Sequence, residues 1–427
     1  MPVFSGVRRV PARRVRPSLR DPRFTLLLIG QSVNAVGSWA SAIVLWGFAA
    51  YRFNASPYAV SVTIVCWAAP PAVLSPLMGV LVDRAGPRTA LACGYLAAAA
   101  AALGLAAAGS LAVLDLAAAG YGVTRSLTGP AGRALPPRIV AADGLLAANS
   151  LLGAASSAGQ VAGPLAASAV LALAGFRAAF VLDAITYLVG AAAVLSLRSR
   201  PAPGPDGGRD GGRPGWQGEA AAGVRIVARN PALRRVALIS VAVTFTSGAF
   251  LVVEPLYARH VLGRPPAQFA LFEAAAGAGA ILAGLALPRL RGRLSGRAAL
   301  PASAAGYGLA AGVFTGTTVV PVAYLGAFAW GVSGAVFFAV AGTRIQQLAP
   351  VAVHGRIMGV ISTLESAADT TALPLAGVIL AGAGVRAGAA VLAAVAVAAG
   401  GTGLAVSGGN QAPACRGTPG WRRRSRR

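Results

Sequence analysis

Gly79-Val80-Leu81-Val82-Asp83-Arg84-Ala85-Gly86-Pro87-Arg88 is the stretch on which the reading of this chain turns. An apolar run of helical length ends on Asp83, a short basic turn follows, and a second apolar run begins at Thr89. An acid and two arginines in so short a turn cannot lie in hydrocarbon, so the turn belongs at a membrane face. Gly86-Pro87 makes the reversal tight. Arg84 and Arg88 mark that face as the one expected to be cytoplasmic.

The composition outside this turn agrees. The 427 residues are 56% hydrophobic and only 11% charged, and apolar runs recur from end to end. Runs longer than about 18 residues define a polytopic membrane protein. The net charge of +25 sits in loops and tails between these runs, which topology explains better than nucleic acid does. All 37 basic residues are arginine. The chain therefore has no P-loop lysine with which to drive transport by ATP and no lysine for a Schiff base. Cys66, Cys93 and Cys415, like His260 and His354, are isolated in sequence. No metal site, cofactor or enzymatic nucleophile–base set is expected, nor a cleavable signal at the basic N-terminus.

Taken in order, residues 1–23 form a basic arm and 24–197 hold six apolar spans. Residues 198–232 are a Pro-, Gly- and Arg-rich linker with a short amphipathic helix near Glu219 to Val227. Residues 233–406 hold six more spans, and 407–427 form a basic tail. The expectation is an all-α membrane protein, twelve transmembrane helices arranged as two parallel six-helix repeats. With both termini inside, 31 of the arginines fall in cytoplasmic segments. Only Arg52, Arg177, Arg259, Arg264 and Arg386 lie outside, and Arg125 falls within a span. That asymmetry fixes the expected orientation in the plasma membrane.

The opening stretch resembles G-x-x-x-D-R-x-G-x-R/K, the loop between helices two and three of the major facilitator superfamily. Gly79, Asp83, Arg84, Gly86 and Arg88 occupy its positions. The resemblance implies that Gly79 lets the second helix pack on the eleventh. It also implies that Asp83 faces the positive end of that helix, holding one of two transport states. Arg125-Ser126-Leu127-Thr128-Gly129 resembles the fourth-helix R-x-x-Q-G motif, with Thr128 replacing the glutamine. That leaves Arg125 to pair with backbone carbonyls, with Asp83 or with something else. Gly159-Gln160-Val161-Ala162-Gly163-Pro164 is similar to the fifth-helix G-x-x-x-G-P motif of antiporters and exporters, and Ala155, Gly159 and Gly163 form a small-residue face. Further stretches, among them Ala134-Leu135-Pro136-Pro137 and Arg229-Asn230-Pro231-Ala232-Leu233, look like the branch of macrolide-efflux and enterobactin-exporter-like proteins. That likeness implies export of a small organic molecule, powered by protons moving inward.

A proton antiporter needs a buried carboxyl that changes protonation as access alternates. Among twelve acids, Glu365 and Asp369 are the sharpest pair, four apart on one face of the eleventh span. Asp183, Glu254 and Glu273 are further candidates, each expected to line an outer vestibule. Asp183 stands one turn from Tyr187. Gln31, Asn34 and Ser38 form a polar stripe on the first span, suited to cavity lining or helix packing. The expected partners are the bilayer, protons and one small-molecule substrate, with the chain acting as a monomer. An importer or facilitator of the same fold is the alternative within transport. A non-transporting membrane sensor or scaffold is the alternative outside it.

Overall fold

The computed structural model describes residues 21–140, 144–197, 224–294, 296–348 and 353–409. The basic arm up to residue 20, most of the linker and the tail from residue 410 lie outside the described residues, as do Asp143, Asp206, Asp210, Glu219 and Cys415. Of the expected linker helix, 224–229 are described and helical.

Among the described residues, twelve long helices carry the fold. They are α1 (Pro22–Arg52), α2 (Pro57–Ala85), α3 (Pro87–Ala107), α4 (Leu111–Ala134), α5 (Leu145–Leu173), α6 (Gly175–Ser196), α7 (Pro231–Leu256), α8 (Pro266–Ala286), α9 (Ala299–Gly316), α10 (Val320–Leu348), α11 (His354–Ala383) and α12 (Val385–Gly409). Ten of these stretches are long and apolar enough to cross a membrane. The two that fall short are α4, which carries Asp115, Arg125 and Arg133, and α9, a run of 18 residues diluted by Gly, Ser and Pro.

Local chemistry sets the helix starts. Asp21, Ser56, Ser110 and Asn230 each accept a hydrogen bond from a backbone N–H of the first turn. Proline follows at the first helical position in α1, α2 and α7, where its missing N–H is not needed. Gly86 ends α2 and caps α3 at φ 81°, ψ 139°, and its N–H bonds to Val82 O at 2.9 Å. An L side chain rarely adopts that conformation, so Gly86→Ala is expected to destabilise the reversal by about 1–3 kcal/mol. Thermal denaturation of the purified variant beside wild type measures this, and an unchanged melting temperature would refute the assignment.

The helix pairings repeat. α1 packs on α5 and α6, α2 on α4, and α3 on α4 and α6. Six helices later, α7 packs on α11 and α12, α8 on α10, and α9 on α10 and α12. The main contacts across the halves are α2 with α11 and α5 with α8, which are equivalent under the same six-helix shift. The buried interior is rich in alanine, and large apolar side chains such as Leu116 (75% exposed) and Leu173 (87% exposed) point outward. That inversion suits a hydrocarbon solvent, where close approach of small residues rather than water exclusion holds helices together.

Inter-half contacts gather away from the face where α1 begins and α12 ends. A Cβ on Gly377 of α11 would collide with Ser61 and stand 3.0 Å from Tyr58 Cα at the start of α2. Gly47 of α1 lies against Phe269 of α8, and Arg259 stands 5.8 Å from the Tyr51 ring. Toward the other face, space opens around Gly79 of α2 and Gly359 of α11, and Val73 and Leu77 are 70% and 65% exposed. The cleft between the halves is open on the side where α1 begins and α12 ends and closed on the opposite side.

Candidate transport site

In the first half, α1, α4 and α6 bring six polar side chains into one hydrogen-bonded cluster. Tyr121 OH donates to Asp183 Oδ2 at 2.8 Å and lies 3.0 Å from Tyr187 OH. Tyr187 OH lies 3.0 Å from Ser38 Oγ, which donates to Asn34 Oδ1 at 3.2 Å. Thr186 Oγ1 donates to Asp183 Oδ1 at 3.3 Å. Asp183 was expected at an outer vestibule, but it is 1% exposed. It lies about 12 Å along α6 from Gly175 at roughly 1.5 Å per residue. The helical period that put Asp183 and Tyr187 on one face was informative; their depth and the Tyr121 partner depend on how α6 sits against α4. Asn34 and Ser38 of the expected polar stripe belong to this cluster. Gln31 turns toward Gly132 of α4, and its Nε2 is buried without a hydrogen-bond partner.

Arg125 takes a partner the sequence did not suggest. Its guanidinium carbon stands 4.0 Å from the centroid of the Trp67 ring on α2. A cation over an indole face is stabilised by the ring quadrupole, by about 2 kcal/mol where water is excluded. Arg125 has no carboxylate partner among the described residues; the titratable groups near it are the neutral Tyr121 and Tyr187 hydroxyls. Asp83 is exposed and far from this role. Thr128, which replaces the motif glutamine, packs against Gly94 of α3, where a Cβ would stand 2.7 Å from Thr128 Cγ2.

In the second half, Glu254 of α7 and Glu273 of α8 meet with their carboxyl groups in hydrogen-bonding reach. Glu254 is 1% exposed, and its Oε1 has no hydrogen-bond partner. Among the described residues no arginine stands beside either acid. Glu273 lies about 10 Å along α8 from its first residue. The π-helical turn Tyr257–Val261 extends α7 beyond Glu254, and Tyr257 OH bonds to Thr317 O at 2.6 Å. These acids were expected to line an outer vestibule; the extra turn and its aromatic packing close that side. An aromatic wall stands nearby, with Trp330 5.5 Å from Tyr307, 5.6 Å from Phe250 and 6.3 Å from Phe314, centroid to centroid.

Glu365 and Asp369 do not form the coupled pair that their spacing suggested. Both are half-buried on α11 and each faces α7 separately. Glu365 lies beside Ser240, and Asp369 fills the notch at Gly248, where a Cβ would stand 2.6 Å from its Oδ1. Separation along α11 and contact with another helix keep the two carboxyls apart. On the other α5 face, Gly159 and Gly163 press on Ala35 and Trp39 of α1, with prospective Cβ distances of 2.8 Å and 2.6 Å. Arg88 donates to Val194 O at 3.2 Å and to Leu195 O, capping the last turn of α6 where cations are favoured.

Residues 27–370 match the family model of the Major Facilitator Superfamily. The chain belongs to the Major Facilitator Superfamily. An uncharacterized MFS-type transporter, y4rN, from Sinorhizobium fredii (strain NBRC 101917 / NGR234) is 31% identical over 282 residues. That match covers 62% of this chain and 66% of the relative, just under two thirds of its length. Among solved structures, the nucleoside transporter NupG superposes with a TM-score of 0.72 at 10% identity, covering 90% of this chain and 98% of its own. A bacterial homologue of the iron transporter ferroportin in its inward-facing state gives 0.70 at 17%, with 90% and 98% covered. At these identities the likeness is one of fold. This chain is therefore a multi-pass membrane protein with the transporter fold of its superfamily, and not an enzyme.

The superfamily loop between α2 and α3 is present in sequence but disengaged in this structure. Gly79 has no neighbour within 4 Å of a prospective Cβ, and Asp83 is exposed. Among the described residues the contact with the eleventh helix implied by the resemblance is not made, in keeping with a cleft open on that side.

Proposed function

We propose that this superfamily member exports a small amphiphilic organic molecule, of the drug, macrolide or siderophore class, across the plasma membrane in exchange for protons. In this reading the face where α1 begins and α12 ends is cytoplasmic, so the open cleft admits substrate from inside, and rocking of the halves exposes it to the other side. The arginine asymmetry and the likeness of the motifs to exporters support that direction.

The observation that carries the coupling is the contact of Glu254 with Glu273. A hydrogen bond between two carboxyl groups requires that one of them carry a proton, and two carboxylates at that distance in a poor solvent cannot both ionise. The pair can thus take up a proton from outside when the outer side opens, hold it in the arrangement seen here, and give it up to the cytoplasmic cleft as substrate enters. The Phe250, Tyr307 and Trp330 wall beside it supplies apolar surface, and Arg125 on Trp67 supplies a polar anchor, as amphiphilic ligands need. One proton moving through 100 mV provides about 2.3 kcal/mol and one pH unit about 1.4 kcal/mol. Together they sustain a gradient of roughly 500-fold for a neutral substrate.

Purified protein in liposomes with a pH-sensitive dye and an imposed proton gradient tests this. Hydrophobic drugs, macrolides and siderophores are added in turn, with radiolabelled uptake followed in parallel. Substrate-triggered proton flux is the expected result. Substrate movement without proton flux would leave a facilitator and remove antiport.

A further inference from the structure

A crevice of about 310 Å³ lies between α1, α5 and α6, outside the cleft that separates the halves. Its walls include Val33, Val36 and Ala40 of α1, Ala166 and Val170 of α5, and Leu182 of α6. On α1 these three residues project from the face opposite Gln31 and Ser38, by the 3.6-residue period of the helix. Val33 and Leu182 at the rim are 38% and 46% exposed, so the crevice opens toward the lipid. Its floor is polar, made by Asp183 and Thr186.

The floor is arranged for a cation. Asp183 Oδ2 is turned inward to the Tyr121 hydroxyl, while Oδ1 lies on the crevice side against Gly37 and Thr186. Gly37 lies directly against this carboxylate: a Cβ there would stand 2.7 Å from Oδ1 and collide with Thr186 Oγ1. Among the described residues no arginine touches Asp183; its neighbours are hydroxyl groups. A carboxylate at this depth without a counter-cation is expensive, and a cation brought by a ligand removes that cost while gaining a charge-assisted hydrogen bond. The walls offer only aliphatic surface, so the remainder of the ligand is apolar. The volume lies at the lower end of small-molecule pockets, roughly 300–1,000 Å³, which fits an alkyl amine or the amine-bearing end of a larger molecule.

We infer that this crevice is a lateral binding site for a lipophilic amine drawn from the bilayer, its protonated nitrogen held by Asp183. The site lies apart from the Glu254–Glu273 pair, and its occupancy does not depend on the amine being carried. Binding is therefore read directly, so failure of the transport reading and failure of this one are separate results.

The full-length protein in lipid nanodiscs is photolabelled with a diazirine-bearing dodecylamine, or with its neutral N-acetyl counterpart, and the labelled peptides are identified by mass spectrometry. The amine is expected to label the segments 33–40, 166–170 and 182–186 at least about tenfold more than the amide, the worth of one charge-assisted bond. Asp183→Asn is expected to bring amine labelling down to the amide level. Ala166→Trp fills the apolar end while leaving Asp183 and its Tyr121 bond in place, and it is expected to lower labelling by both probes. It decides the matter if the Asn variant fails to elute as folded protein. Equal labelling by amine and amide overturns the inference, as does labelling confined to the cleft near Trp67 and Trp330 and unchanged by Ala166→Trp.

Discussion

Glu254→Gln and Glu273→Gln are each expected to abolish substrate-driven proton flux while leaving the protein folded. An amide is nearly isosteric with a carboxyl and donates to the remaining carboxylate, so the hydrogen bond between α7 and α8 survives. The requirement for a shared proton does not. Without that proton the substrate gradient supported by the protein falls from roughly 500-fold toward unity, although downhill movement of substrate continues. Replacement by alanine has a different signature. It leaves a cavity and one unpaired buried acid, so it is expected to destabilise by about 3–5 kcal/mol and to reduce yield. The control is Glu365→Gln/Asp369→Asn. Each of those acids faces α7 on its own, and proton flux is expected to persist in the double variant. Reconstituted flux assays on the three proteins distinguish the assignments. Flux that survives both glutamine variants but vanishes in the α11 double variant would transfer the coupling role to α11.

Gly163→Leu is expected to prevent the first half from assembling. The prospective Cβ meets Trp39 Cβ at 2.6 Å and the Ala40 backbone nitrogen at 3.0 Å. Backbone cannot swing aside as a flexible side chain does, so α5 must move off α1, at an overpacking cost of about 3 kcal/mol or more. Gly153, ten positions earlier on α5, is exposed, with nothing within 4 Å of its prospective Cβ. Gly153→Leu is therefore expected to change stability by no more than about 0.5 kcal/mol. Melting curves and size-exclusion profiles in detergent compare the two. Equal behaviour would remove the claim that this glycine is fixed by the α1–α5 approach.

The two predictions differ in how much of their basis was legible beforehand. The small-residue face of α5 is a local pattern, and its spacing alone announced a close helix contact. Only the identity of the partner, α1, needed the folded chain. The acids were legible as buried candidates, because hydropathy identifies a carboxyl inside an apolar run. Their pairing was not legible. Glu365 and Asp369 satisfy the i, i+4 rule, yet the acids that meet are Glu254 and Glu273 on separate helices. Spacing reports neighbours within one helix and is silent on the rotation of the next. Arg125 illustrates the same limit: its depth was readable, but its Trp67 partner comes from α2 crossing α4.

By itself, the sequence determined that this protein lives in a membrane, roughly where its apolar runs lie, and that its arginines concentrate between alternate runs. Those are properties of transfer between water and hydrocarbon, and they add up residue by residue along the chain. The tertiary structure decided which polar groups share an environment, on which side the cleft is open, and that a crevice leads from the lipid to Asp183. Those depend on helix rotation and on contacts between residues far apart in the chain, for which no local sum exists.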